Sequence, residues 1–131
     1  MASTKVLWAG RILSGLAVLF LLFDGLIKLP PLEIVITTMN ELGYPATDSF
    51  ARFLGVVTLA CTALYAWQRT ALLGAVLLTG LFGGAIATHL RIGSPLFSHT
   101  LFGIYFGVTV WGGLWLRDPA VRQVMPFMRR D

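Results

Sequence analysis

The chain has 131 residues, of which 56% are hydrophobic and only 12% charged, and its mean hydropathy is +0.79. A soluble domain carries about 25% charged residues, so a water-surrounded core is excluded and lipid is the expected solvent. The formal net charge of +4 does not point to nucleic acid, because the basic residues flank apolar runs, where they orient a membrane protein.

The first predicted span covers about residues 7–27. Arg11 and Asp24 interrupt it and Lys28 ends it. Met1 to Lys5 is too short for a signal n-region, and no small-residue cleavage site follows, so this run reads as a retained helix. The one long connection, Leu29 to Ser49, comes next. Leu32, Val35, Ile36, Met39 and Leu42 fall on one face at helical spacing, and Glu33, Thr37, Asn40 and Glu41 on the other. Pro30-Pro31 marks the start and Gly43 suits a C-terminal cap. A short amphipathic helix over about 31–42 follows, lying in the interface or lidding the bundle. The second span is about 50–67, with Asp48 or Ser49 as N-cap. The third is about 70–90. The fourth is about 95–116, with Pro95 at the first helical position and Arg117-Asp118-Pro119 as its stop. The connections around Gln68-Arg69 and from Arg91 to Ser94 are tight hairpins. The expected architecture is all-α: one domain over residues 1–131, a four-helix transmembrane bundle with an amphipathic helix between its first two spans.

Ala75, Thr79, Gly83 and Ala87 form a small-residue stripe on span three, with Gly80 and Gly84 beside it, and Gly103 and Gly107 make a GxxxG on span four. Such residues let membrane helices approach within a bundle, and also serve dimerisation. Lys5, Arg11, Arg69, Arg117, Arg122, Arg129 and Arg130 share one side of the predicted topology, and Lys28, Arg52 and Arg91 the other. The excess places both termini in the cytoplasm. Trp8, Trp67 and Trp115 fall at the cytoplasmic span ends, as an interfacial belt requires.

Asp24, Lys28, His89, Arg91 and His99 lie near the outer ends of three spans. Ionisable groups at membrane depth are costly and mark functional sites by default. Asp24 and Lys28 are one helical turn apart and can pair. The tight hairpin lets His89 approach His99, and Asp24 sits at similar depth. A carboxylate that orients a histidine is an acid–base unit, so Asp24, His89 and His99 are the candidate catalytic residues. Lys28, Thr88, Arg91 and Tyr105 are the candidate ligand contacts. A plainer reading keeps Asp24–Lys28 as a neutralising pair, Arg91 as a snorkelling anchor and His99 in headgroup water. Metal ligation is not expected: two histidines and one Asp lack HxxxH or HExxH spacing, and the lone Cys61 excludes a disulfide, a CxxC pair and a cysteine zinc site.

Five stretches then carry a resemblance: Arg11 to Gly15, Phe23 to Leu29, Leu42 to Pro45, Gly80 to Gly93 and Trp111 to Pro119. In their order and spacing the chain resembles the DoxX-like family of small bacterial membrane proteins, within the wider DoxX/DoxD group, over about residues 8–126. The resemblance implies a four-helix bundle of the bacterial inner membrane. Because the group is named for a membrane subunit of a thiosulfate:quinone oxidoreductase, it also implies a quinone as the candidate cofactor, although no cofactor motif is evident, and a redox protein or a second copy as candidate partner. Lys28, His89, Arg91 and His99 match polar positions of the family. The position of Asp24 is commonly a small residue there, so Asp24 is a departure.

Three functions compete at this level. The first is binding of a small lipophilic or quinone-like molecule, or accessory service to a redox system. The second is intramembrane acid–base catalysis (isomerisation, cyclisation or epoxide opening) through Asp24, His89 and His99. The third is proton-coupled transport, disfavoured by the outward position of the acid.

Overall fold

The computed structural model describes residues 4–30 and 32–130. Among them the elements are α1 (Thr4–Leu26), α2 (Glu33–Leu42), α3 (Asp48–Ala66), α4 (Ala71–Ile92), a π-helical turn (Leu96–Thr100), α5 (Phe102–Arg117) and α6 (Pro119–Val124). Pro31, half of the expected start of α2, lies outside the described residues. Three helices, α1, α3 and α4, are long and apolar enough to cross a membrane. α5 has 16 residues, about 24 Å at 1.5 Å per residue, short of a hydrocarbon core of about 30 Å.

The expected fourth span, one helix over about 95–116, is therefore broken. Pro95 O accepts from both His99 N and Thr100 N at 3.1 Å, and Leu96 O accepts from Leu101 N at 2.9 Å. These wider i→i+5 bonds fit one extra residue into the turn. The N-cap of α3 also differs from Asp48 or Ser49: the Thr47 hydroxyl accepts from Phe50 N at 3.2 Å, leaving Asp48 in the first turn, where a carboxylate complements the helix dipole. Asp118 does more than stop α5. It caps α6 by accepting from Ala120 N at 3.0 Å, with Pro119 at the first helical position.

α1 packs on α3 and α5, and α4 packs on the same two, closing a ring in which every neighbour is antiparallel. A glycine sits at each of the four seams. A Cβ on Gly10 would lie 2.7 Å from Arg117 N, one on Gly55 2.9 Å from Gly25 O, and one on Gly103 2.9 Å from Phe82 O, while one on Gly74 would run into the backbone of Tyr65. These are backbone-to-backbone approaches that only a missing side chain permits. The anticipated small-residue stripe contributes less. Ala75 is buried, but Gly83 and Ala87 are exposed, Thr79 is exposed with its hydroxyl accepting from Trp111 Nε1 of α5 at 2.7 Å, and Gly107 has open space where a Cβ would stand.

The core joins Leu21 of α1, Tyr65 of α3, Leu78 and Phe82 of α4, and Val110 and Leu114 of α5. Its polar atoms are satisfied internally, as hydrocarbon demands. The wholly buried Tyr65 hydroxyl donates to Val110 O at 2.6 Å and lies 2.8 Å from Ser14 Oγ. Thr58 and Thr62 donate to the carbonyls of Leu54 and Thr58 at 2.9 and 2.7 Å. The outer surface is apolar in turn, with Leu19 and Val108 both 67% exposed, the inverse of a water-facing helix.

α2 lies across one end of the ring. Val35 and Met39 are buried against Ala51 of α3, while Glu33, Thr37 and Glu41 are exposed. Gly43 ends the helix at φ 82, the left-handed region that suits glycine, and Tyr44 N returns to Met39 O at 2.9 Å.

Candidate functional site

The end of the ring under α2 encloses a cleft of about 690 Å3. Its walls come from six elements. α1 supplies Phe20, Leu21 and Asp24; α2 supplies Val35, Thr38 and Met39; α3 supplies Leu54 and Thr58; α4 supplies Gly80, Gly84, Thr88 and His89; the π turn and α5 supply Ser98, His99, Phe102 and Phe106. One flank is aromatic: Phe106 stacks on Phe20 with centroids 4.3 Å apart and meets Phe102 edge-on at 4.7 Å. Gly80 and Gly84 line the other side, where a Cβ would find nothing within 4 Å.

The polar groups gather at one end of this apolar space. Asp24 and Lys28 pair at 2.8 Å through their i,i+4 spacing. His89 is set by the end of α4. Gly93 takes a left-handed φ of 71, Ser94 N turns back to His89 O at 3.0 Å, and this brings Ser94 Oγ within 2.8 Å of His89 Nδ1. His99 lies in the π turn, its Nδ1 2.7 Å from Ser98 Oγ. The two imidazoles meet edge to face with centroids 5.7 Å apart. Each ring thus has Nδ1 engaged by a serine hydroxyl, and Nε2 has no hydrogen-bond partner among the described residues.

Asp24, Lys28, Thr88, His89 and His99 all line the cleft. The carboxylate–histidine unit considered above is not formed, because Asp24 is bonded to Lys28 and both histidines to serines. Arg91 and Tyr105 are not on the cleft wall. Arg91 Nη2 donates to Leu42 O at 2.6 Å, placing a cation on the C-terminal carbonyls of α2. The Tyr105 hydroxyl donates to Phe97 O at 3.0 Å on the outside of α5. Sequence reasoning missed Tyr44, whose hydroxyl lies 2.6 Å from Thr88 Oγ1. This bond and that of Arg91 fasten the C-terminal end of α2 to α4. Tyr44 stood only one residue beyond the capping Gly43, and nothing in the sequence linked it to a threonine 44 residues away. Among the described residues no group of three or more His, Cys, Asp or Glu is placed to hold a metal.

A ring of apolar helices around an apolar cleft with ionisable groups at one end describes a helical membrane protein. The chain belongs to the DoxX-like family, whose model matches residues 12–113. That range takes in Asp24, Lys28, His89 and His99. No curated protein matches the chain, and no solved structure does.

Proposed function

We propose that this protein is a binding protein of the inner membrane. Its α5 completes a fourth crossing together with the π turn, both termini are cytoplasmic, and α2 lies as an amphipathic helix at the outer interface. Its ligand is a small lipophilic molecule with a polar, hydrogen-bonding head, such as a phenol, a carbonyl compound or a quinone. The apolar body rests against Phe20, Phe102 and Phe106, and the head meets His89, His99 and the Asp24–Lys28 pair. One observation carries this reading: a cleft of about 690 Å3, within the range of small-molecule sites, is apolar along its length and polar at one end. Binding is favoured over acid–base catalysis because Asp24 is tied to Lys28 rather than to an imidazole.

The test is mass spectrometry of small molecules that co-purify with the full chain in mild detergent. A lipophilic compound is expected with the wild type, to be lost both in His89→Ala/His99→Ala, which removes the head contacts, and in Gly84→Leu, which fills the cleft from a position with free space. Phospholipid alone, equal in all three proteins, would overturn the proposal.

A further inference from the structure

The other end of the ring holds a second cleft of about 230 Å3, between Arg11, Ser14 and Gly15 of α1, Tyr65 of α3 and Arg117 of α5. Arg11 and Asp24 are 13 positions apart on α1, about 20 Å along the helix, so the two clefts are separate. We propose that this smaller cleft is a phosphate-binding site that takes the head group of an anionic phospholipid from the leaflet on the side of the chain termini.

Two guanidiniums converge here without a counter-ion. Among the described residues the one ion pair is Lys28–Asp24, at the far end. The nearest acid in sequence, Asp118, is already occupied: its Oδ1 caps Ala120 N and its Oδ2 accepts from Gln68 Nε2. Arg117 reaches only neutral acceptors, Gln68 Oε1 at 3.0 Å and Tyr65 O at 3.1 Å, with its guanidinium over the Tyr65 ring at 5.1 Å. Its Nε is buried and has no hydrogen-bond partner among the described residues, an uncompensated donor of the kind folded proteins avoid. Arg11 is exposed and stacks on Trp8 at 5.2 Å, with its N–H groups free of protein acceptors among the described residues. Planar guanidiniums are the side chains best matched to phosphate oxygens.

The shape indicates a lipid rather than a free ion. Gly15 and Val18 continue the cleft from Arg11 along one face of α1, one and two turns deeper. Gly15 leaves open space where a Cβ would stand. A charged mouth thus leads into an apolar trough along the half-buried Gly15 and Val18, with Trp8 beside its arginine.

The test is native mass spectrometry of the full chain titrated with phosphatidylglycerol, then with phosphatidylcholine, then with phosphatidylglycerol against inorganic phosphate. The wild type is expected to retain phosphatidylglycerol in preference to phosphatidylcholine. Arg11→Gln should weaken retention about tenfold or more, the size of a lost charge-assisted hydrogen bond. Arg117→Gln should do the same, and Gly15→Leu should abolish retention by filling the trough while leaving both arginines in place. Arg69→Gln, at the same end but off the cleft, should match the wild type. Displacement by millimolar inorganic phosphate would support the phosphate site and reassign its source to the soluble ion. Equal retention by wild type, Arg11→Gln and Gly15→Leu, or an equal loss in Arg69→Gln, would overturn the proposal. The Arg11 side chain makes no hydrogen bond among the described residues, so its variant remains informative if Arg117→Gln misfolds.

Discussion

Asp24 is a carboxylate on the wall of an apolar cleft, and its ion pair with Lys28 offsets the cost of holding it there. The pair is 35% and 22% exposed respectively in side-chain terms and faces an apolar cleft, so a single neutralisation leaves the other charge in poor solvent. Lys28→Met should therefore lower the melting temperature in detergent more than the double variant Asp24→Asn/Lys28→Met does. A double variant no more stable than Lys28→Met would show that the pair contributes nothing. This contact was legible in the sequence because its cause is local: two residues four apart on a helix must lie side by side. The approach of His89 to His99 was legible for a similar reason, since a short hairpin joins their elements. The serines that hold the two imidazoles were not. Ser94 reaches His89 only through the left-handed turn at Gly93, and Ser98 reaches His99 within the π turn. The placement of Arg91 and Tyr105 off the cleft was also unreadable, because it depends on where α2 ends in space and on the phase of α5.

Among the elements, the seams decide stability. Gly74 abuts the backbone of Tyr65, whereas Gly80 looks into empty space. Gly74→Ala should then cost about 1–3 kcal/mol through overpacking. Gly80→Ala should be neutral or gain up to about 1 kcal/mol from helix propensity. Reversible unfolding in mixed micelles measures both, and equal effects would mean that the α3–α4 seam yields freely. The three long apolar helices, α1, α3 and α4, were readable from hydropathy, because runs of apolar residues near 20 long have few other solutions, whereas the break in the expected fourth span was not. Which small residues face a neighbour was not readable. Gly83 and Ala87 carry the same small-residue signal as Ala75, yet they are exposed, and Thr79 meets α5 through a hydrogen bond from Trp111 Nε1 rather than by close packing. Gly10 and Gly113 form a tight seam without belonging to any conspicuous repeat.

The whole molecule is polarised. Its amphipathic cleft, with the Asp24–Lys28 pair and both histidines, is at the end covered by α2. At the other end are Thr4 and α6, Trp8, Trp67 and Trp115, and most of the arginines. The orientation proposed above, with the arginine-rich end inward, rests on this charge asymmetry. In intact cells a membrane-impermeant maleimide should label Glu41→Cys, and should label Lys5→Cys and Arg129→Cys only after permeabilisation. Cys61 is buried in the core and should stay silent. The reverse pattern would invert the assignment of both clefts to their leaflets. Antiparallel order was legible for α3, α4 and α5 because short connections leave those neighbours no alternative. The two clefts were not, since empty space is a property of packed pairs of faces and no single segment carries it.

The π turn has a consequence for chain length rather than for side-chain identity. It holds one residue more than an α-turn would between Pro95 and Leu101. Losing Thr100 would let the segment relax into ordinary helix, rotating what precedes it, His99 included, by about 100° against α5. His99 would leave the cleft although the histidine itself remained. At this place the protein is more sensitive to counting than to spelling: exchanges within the turn that preserve its length keep the imidazole in position, and a one-codon deletion removes it.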